Sequence, residues 1–268
     1  MRDLFRSFDR EGVRYLLIGG QAAILYGASQ FTQDLDIWVE PTAANLRALL
    51  RSLANLDGKV HKLTPPVTTE FVQKGHGFHF VLGGLDMGPT FLDVMGRPPR
   101  VQSFAAAARR ASTMSTSWGK VRVVAIQDLV ELKKTNRLGD YEVISRLARL
   151  RLDGTPRPSA ALLAWALANA FRVEDSWAIV RRHRDRLADL AKIDPLARIV
   201  LRSGSEACDE DPSALARVAD GIERRVSALV RKGREYWLPR LAELRALHRA
   251  GRLVPEGTPV RDLLGAHD

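Results

Sequence analysis

The segment Tyr15-Leu16-Leu17-Ile18-Gly19-Gly20-Gln21-Ala22-Ala23-Ile24-Leu25-Tyr26-Gly27, followed by Thr32-Gln33-Asp34-Leu35-Asp36-Ile37-Trp38-Val39, constrains the fold of this chain more than any other stretch. An apolar strand runs into a double glycine that can open a helix. A second apolar strand follows, with two carboxylates two residues apart. On a strand, positions i and i+2 point to one face, so Asp34 and Asp36 sit side by side. Two adjacent anions repel, and burying them is costly. A divalent cation removes that cost, and Mg²⁺ takes one or two carboxylates together with substrate phosphates. Glycines at a helix start offer backbone N–H groups to those phosphates. The combination reads as a metal-dependent site for a nucleoside triphosphate.

A second block lies at Ala125–Asp140. Leu129, Leu132 and Asn136 recur at helical spacing, which predicts a helix over about 126–137. On such a helix Lys133 and Arg137 share a face. Lys133 and its neighbour Lys134 point about 100° apart, so only one of them can face a pocket.

Gly19-Gly20 with Asp34-x-Asp36 resembles the signature of the DNA polymerase beta superfamily of nucleotidyltransferases. The longer string from Ile18 through Gly27 to Thr32-x-Asp34-Leu35-Asp36 resembles its small bacterial branch, the AbiEii-like and MenT-like toxin nucleotidyltransferases and related proteins. The resemblance covers roughly the first half of the chain. It implies transfer of a nucleoside monophosphate from an NTP to a hydroxyl, with Asp34 and Asp36 on Mg²⁺ (or Mn²⁺). Gly19, Gly20 and Thr32 would line the nucleotide. It also implies a third carboxylate on a later strand. Asp93, isolated in the apolar run Thr90–Met95, needs a partner or a metal. Asp86 lies in the glycine-rich turn Gly83–Pro89 and needs neither, so Asp93 is the expected third ligand. By the same resemblance Lys133 would contact the triphosphate, with Arg137 and Asp140 bracing the site. The implied acceptor is the 3′ end of tRNA and the implied partner a cognate antitoxin; an antibiotic or protein acceptor, or a weakly catalytic binding module, are the alternatives. The chain departs from the pattern at Gln30, where the family has Arg, and near Val143, where a second Asp is common.

Composition bounds the remainder. The chain has 268 residues, 46% of them hydrophobic, enough for one large core or two modest ones. The single Cys208, in the acidic run Ser203–Asp211, excludes a disulfide framework and fits a reducing cytoplasm. The first residues lack the apolar core of a leader, and no apolar run reaches membrane-spanning length. A formal charge of +10 favours a polyanionic partner.

The expected fold is α/β: a mixed-sheet nucleotidyltransferase domain over 1–150, then an α-helical domain over 151–268, parted near Arg151–Pro158. Strands are expected near 14–18, 34–40, 68–73, 77–83, 90–95 and 120–124. In the second half, helical spacing over 159–171, 174–192, 194–202 and 212–250 predicts a bundle, with a break or kink at Pro239 and an extended cap or frayed end from Pro255. Arg181–Arg186, Arg224-Arg225 and Arg231–Arg234 leading to Tyr236-Trp237 could grip phosphate and stack on bases. Trp165 and Trp177 read as core, and His76 with His79 shows no metal spacing.

Overall fold

The computed structural model describes residues 1–83, 88–194, 197–199, 201 and 212–267. Asp86, Cys208 and part of the 194–202 stretch lie outside the described residues. Packing divides the chain into two compact units, Met1–Leu132 with Glu235–Asp268, and Lys133–Arg234. The sequence reading parts the chain later, near 151–158. The structure groups residues 133–150 with the helices that follow, because α7 (Gly139–Asp153) packs on α8 (Ala160–Ala168).

In the first unit, among the described residues, seven strands form one mixed sheet in the order β3-β4-β5-β2-β1-β7-β6. These are β1 (Tyr15–Ile18), β2 (Asp34–Val39), β3 (Lys59–Val60), β4 (Gly77–Leu82), β5 (Thr90–Met95), β6 (Ser112–Thr116) and β7 (Gly119–Val123). β2 runs antiparallel to β1 and parallel to β5, and β4 runs antiparallel to β5. Alternation gives the sheet two different faces. Leu35, Ile37, Phe78, Phe80, Leu92 and Val94 lie on one face and are buried. On that side α1 (Arg2–Glu11) packs through Phe8 on Tyr15, ring centroids 5.1 Å apart. Ser52 of α3 (Ala43–Ala54) donates to Ser7 of α1 at 2.8 Å, which links the two helices. The other face carries Asp34, Asp36, Phe91, Asp93 and His79, and none of these is buried.

Short helices complete this unit: α2 (Gly19–Leu25), α4 (Thr69–Gln73), α5 (Phe104–Arg110) and α6 (Ile126–Leu132). The stretch 68–73, expected as a strand, is α4. It buries the adjacent Phe71 and Val72 together, a pattern that alternation along a half-covered strand does not give. Strands β3 and β6 were absent from the sequence expectation, the first being two residues long and the second polar. Of the two readings of the tail beyond Pro255, a cap or a frayed end, the structure shows the cap. It bridges strand β3 at Lys59–Pro259, accepts from Val60 N–H at Thr258 O (2.9 Å), and buries Val260. The edge of the sheet is thereby covered, as edges commonly are.

The second unit is helical. It contains α7, α8, α9 (Val173–Arg182), α10 (Leu187–Ile193) and the first part of α11 (Pro212–Arg249). Helix α11 continues through Pro239, so of the break or kink expected there the break does not occur. Trp177 is core, whereas Trp165 is half-buried under the Arg151 guanidinium, 4.8 Å from the ring centre. Arg225 does not offer itself to a phosphate. Its fork donates to Leu167 O and Ala170 O, both at 3.0 Å, and satisfies carbonyls at the end of α8. Among the described residues, no helix is long and apolar enough to cross a membrane.

Candidate metal and nucleotide site

Strand register sets the three expected carboxylates on one face of two neighbouring strands. Asp34 and Asp36 lie two apart on β2, and Asp36 is the direct partner of Asp93 on the parallel neighbour β5. Adjacent strands run about 4.8 Å apart, and positions i and i+2 are separated by about 6.6 Å. Asp93 in turn faces His79 on β4, and His79 Nδ1 lies 2.6 Å from Asp93 Oδ1. A polar row, His79–Asp93–Asp36, thus crosses three strands, with Asp34 at one side. Asp34 is exposed; Asp36, Asp93 and His79 are half-exposed.

The double glycine meets this row from β1. Ile18 is the register partner of Asp36, so the residue after it begins α2 immediately beside the carboxylate. Gly19 adopts φ +64, and a methyl group there would overlap the Asp36 side chain, reaching Asp36 Cβ at 2.6 Å. Glycine is required on both counts. Gly20 N–H points at Asp36 Oδ2 over a long 3.4 Å. A methyl at Gly20 would lie 2.5 Å from Thr32 Oγ1, which places Thr32 against the same turn. Gln30 is exposed in the loop leading to Thr32.

Chemically the donors are oxygen-only and negative, which suits a hard divalent cation such as Mg²⁺ or Mn²⁺. The bare Gly19 backbone lies against the Asp36 carboxylate, and the Gly20 N–H points at its Oδ2. Among the described residues, no three His, Cys, Asp or Glu side chains stand close enough to hold one ion between them. The register therefore supplies the donors, and Asp93 is turned to His79 rather than to a shared centre.

Lys133, Lys134, Arg137 and Asp140 belong to the second unit. The expected helix over 126–137 ends at Leu132, so the helical argument for pairing Lys133 with Arg137 on one face does not hold. Lys133 Nζ instead lies 3.0 Å from Asp140 Oδ1, and Thr135 Oγ1 donates to Asp140 Oδ2 at 2.6 Å. Arg137 is exposed, and its backbone N–H donates to Thr135 Oγ1. Asp140 is thus braced by Lys133 and Thr135, not by Arg137.

Sequence reasoning missed His79. The signal was available: antiparallel pairing of the strands expected at 77–83 and 90–95 sets residue 79 opposite residue 93. It also missed the role of His76, which is buried and lies 2.6 Å from Glu243 Oε2 through Nε2. Lys74 Nζ meets the other oxygen of Glu243, also at 2.6 Å. Hydrogen bonds from Lys74, followed by those from His76, hold the Glu243 carboxyl below its ordinary range. Tyr236, expected among the base-stacking candidates, donates to Arg97 O at 2.8 Å and lies under the Arg240 guanidinium. It is part of this fastening of α11, not a free aromatic face.

No family model matches the chain, and no curated protein matches it. Among solved structures it is similar to an antigenic nucleotidyltransferase-like protein from Paracoccidioides brasiliensis, at 18% identity and a TM-score of 0.40, over 72% of this chain and 90% of that one. At that score the likeness carries no conclusion about this chain.

Proposed function

We propose that the protein is a metal-dependent nucleotidyltransferase that moves a nucleoside monophosphate from an NTP to a hydroxyl group and releases pyrophosphate. The observation that carries this reading is the register of β2 against β5, which sets Asp36 beside Asp93 with Asp34 on the same face. Carboxylates gathered on one face are costly to assemble without a cation to neutralise them, and the bare Gly19 backbone lies directly against Asp36, where a side chain would collide.

In this reading Asp34 and Asp36 would hold Mg²⁺ with the triphosphate, and a cation so held would supply charge neutralisation for the transferring phosphoryl group. Asp93 accepts the proton of the attacking hydroxyl, and His79 fixes the orientation of that carboxylate through its Nδ1 contact. Gly20 and Thr32 border the nucleotide beside Asp36. The acceptor we favour is the 3′ end of tRNA, in a toxin paired with an antitoxin. Charge supports a polyanionic acceptor: the helical unit, Lys133–Arg234, holds 21 Lys and Arg against 14 Asp and Glu.

The test is label transfer. The protein is incubated with Mg²⁺, each labelled NTP in turn, and total tRNA. Transfer to tRNA that disappears in Asp36→Ala and with a chelator is the expected result. Transfer only to a drug or a protein would replace the acceptor. No transfer to any acceptor would remove the enzymatic reading and leave a binding module.

A further inference from the structure

Beside the carboxylates lie aromatic rings that the phosphate chemistry does not use. Phe91 is the register partner of Asp34 and shares its face of the sheet. It is half-exposed, and the His61 ring packs on it with centroids 4.6 Å apart at 42°. Phe31 stands three residues before Asp34, within about 10 Å of it by chain reach. Its side chain is 74% exposed, more than any other large apolar side chain among the described residues, and the only aromatic among those exposed.

A phenylalanine so exposed gains little from burial in the protein itself. Exposed apolar residues are common singly, but here Phe31 lies in the loop three residues before the strand that carries two candidate metal ligands, and Phe91 lies directly across from the first of them. A nucleotide whose triphosphate is seated at Asp34 and Asp36 extends its base several ångströms beyond them, and flat apolar rings beside Asp34 match the π-face that every nucleobase offers.

We propose that Phe31 and Phe91, the latter backed by His61, form a nucleobase-stacking subsite next to Asp34. This rests on the nucleotidyltransferase reading. The stacked base comes either from the donor NTP or from the terminal nucleotide of the acceptor.

Titration calorimetry separates these sources. Wild type, Phe31→Ala, Phe31→Trp and Phe91→Leu are each titrated with Mg²⁺–ATP, with Mg²⁺–tripolyphosphate, and with a short oligoribonucleotide. Tripolyphosphate carries the phosphates and no base. Loss of one stacked ring weakens binding by about tenfold. The expected result is that Phe31→Ala and Phe91→Leu weaken ATP by about that factor and leave tripolyphosphate unchanged, while Phe31→Trp keeps wild-type affinity. The same loss confined to the oligoribonucleotide assigns the subsite to the acceptor base. Equal weakening of ATP and tripolyphosphate, or no change in any ligand, overturns the stacking subsite while leaving the nucleotidyltransferase reading in place. A wild-type protein that binds none of the three removes that reading, and the subsite with it. Phe31 is exposed and Phe91→Leu stays apolar, so unchanged melting temperatures verify that the variants are folded.

Discussion

Gly19→Ala tests the most constrained position of the site. Two costs add there. An L-residue held in the left-handed region, where Gly19 sits at φ +64, costs about 1–2 kcal/mol. The new methyl also overlaps Asp36, and because the overlap includes Asp36 Cβ at 2.6 Å, rotating the Asp36 side chain does not relieve it. Strand β2 or the start of α2 must move, an overpacking cost of about 1–3 kcal/mol. The expected total is about 2–5 kcal/mol. Gly27→Ala isolates the first cost, because Gly27 has φ +80 and nothing lies within 4 Å of a methyl there. The gain from a stiffer unfolded chain is common to both variants and cancels. Scanning calorimetry should therefore show Gly19→Ala melting well below Gly27→Ala, each kcal/mol being worth roughly 2–4 °C in a chain of this size. Label transfer should be lost in Gly19→Ala and retained in Gly27→Ala. If the two variants lose the same stability to within about 0.5 kcal/mol, the close approach of the Gly19 backbone to Asp36 is wrong, and with it the argument that only glycine fits.

Asp34→Asn and Asp36→Asn should each abolish Mg²⁺-dependent transfer, measured with labelled NTP, while leaving the melting temperature unchanged or raised, since each removes one of two adjacent negative charges. Glu243→Gln should destabilise the first unit by about 1–3 kcal/mol in urea unfolding, because the buried His76 loses a charged partner. Since the folded state holds the Glu243 carboxyl below its ordinary value of 4.5, its contribution is complete above that value and is lost as pH falls through the lowered one. The wild-type stability curve should fall in that acid window more steeply than that of Glu243→Gln. Arg225→Ala should cost about 1–3 kcal/mol by leaving Leu167 O and Ala170 O without their donor, and Arg225→Lys, which lacks the planar fork, should restore only part of it.

Much of the placement of these residues could be read in the sequence because the elements that carry them are local. The Ile18–Gly20 turn and the spacing of Asp34 and Asp36 depend on strand alternation and on glycine chemistry, which act over a few residues. Asp93 could be singled out because an isolated charge in an apolar strand is conspicuous. What was not legible depended on pairing across the sheet or on where a helix stops. Helix α6 ends at Leu132 although the apolar spacing continues to Asn136, and the polar run Lys133–Arg137 forms instead a turn held by Thr135. Periodicity alone does not mark that end, and without that last turn Lys133 turns to Asp140 instead of sharing a helix face with Arg137. In the same way, the apolar and β-branched run 67–72 suits a strand by composition, but it folds as a five-residue helix after Pro65-Pro66.

The parallel pairing of β2 with β5 is the step that converts separate sequence signals into one arrangement. A shift of a single residue would turn Asp93 to the opposite face, among Leu35, Ile37, Phe78 and Phe80, all of them buried. The same shift would move Leu92 and Val94 out of that core. The register is therefore fixed by apolar burial on the far face, with no contribution needed from the carboxylates themselves. The core holds the acidic trio in place before any cation arrives, so the repulsion among Asp34, Asp36 and Asp93 is a cost carried by the packing beneath them. It follows that a ligand able to neutralise those charges should raise the stability of the first unit, by the linkage that favours whatever binds only the folded state. Mg²⁺ should accordingly raise the melting temperature of wild type, and the rise should vanish in Asp34→Asn/Asp36→Asn. An equal rise in that double variant would show that the cation acts elsewhere on the surface, and the register argument would then lose its functional meaning.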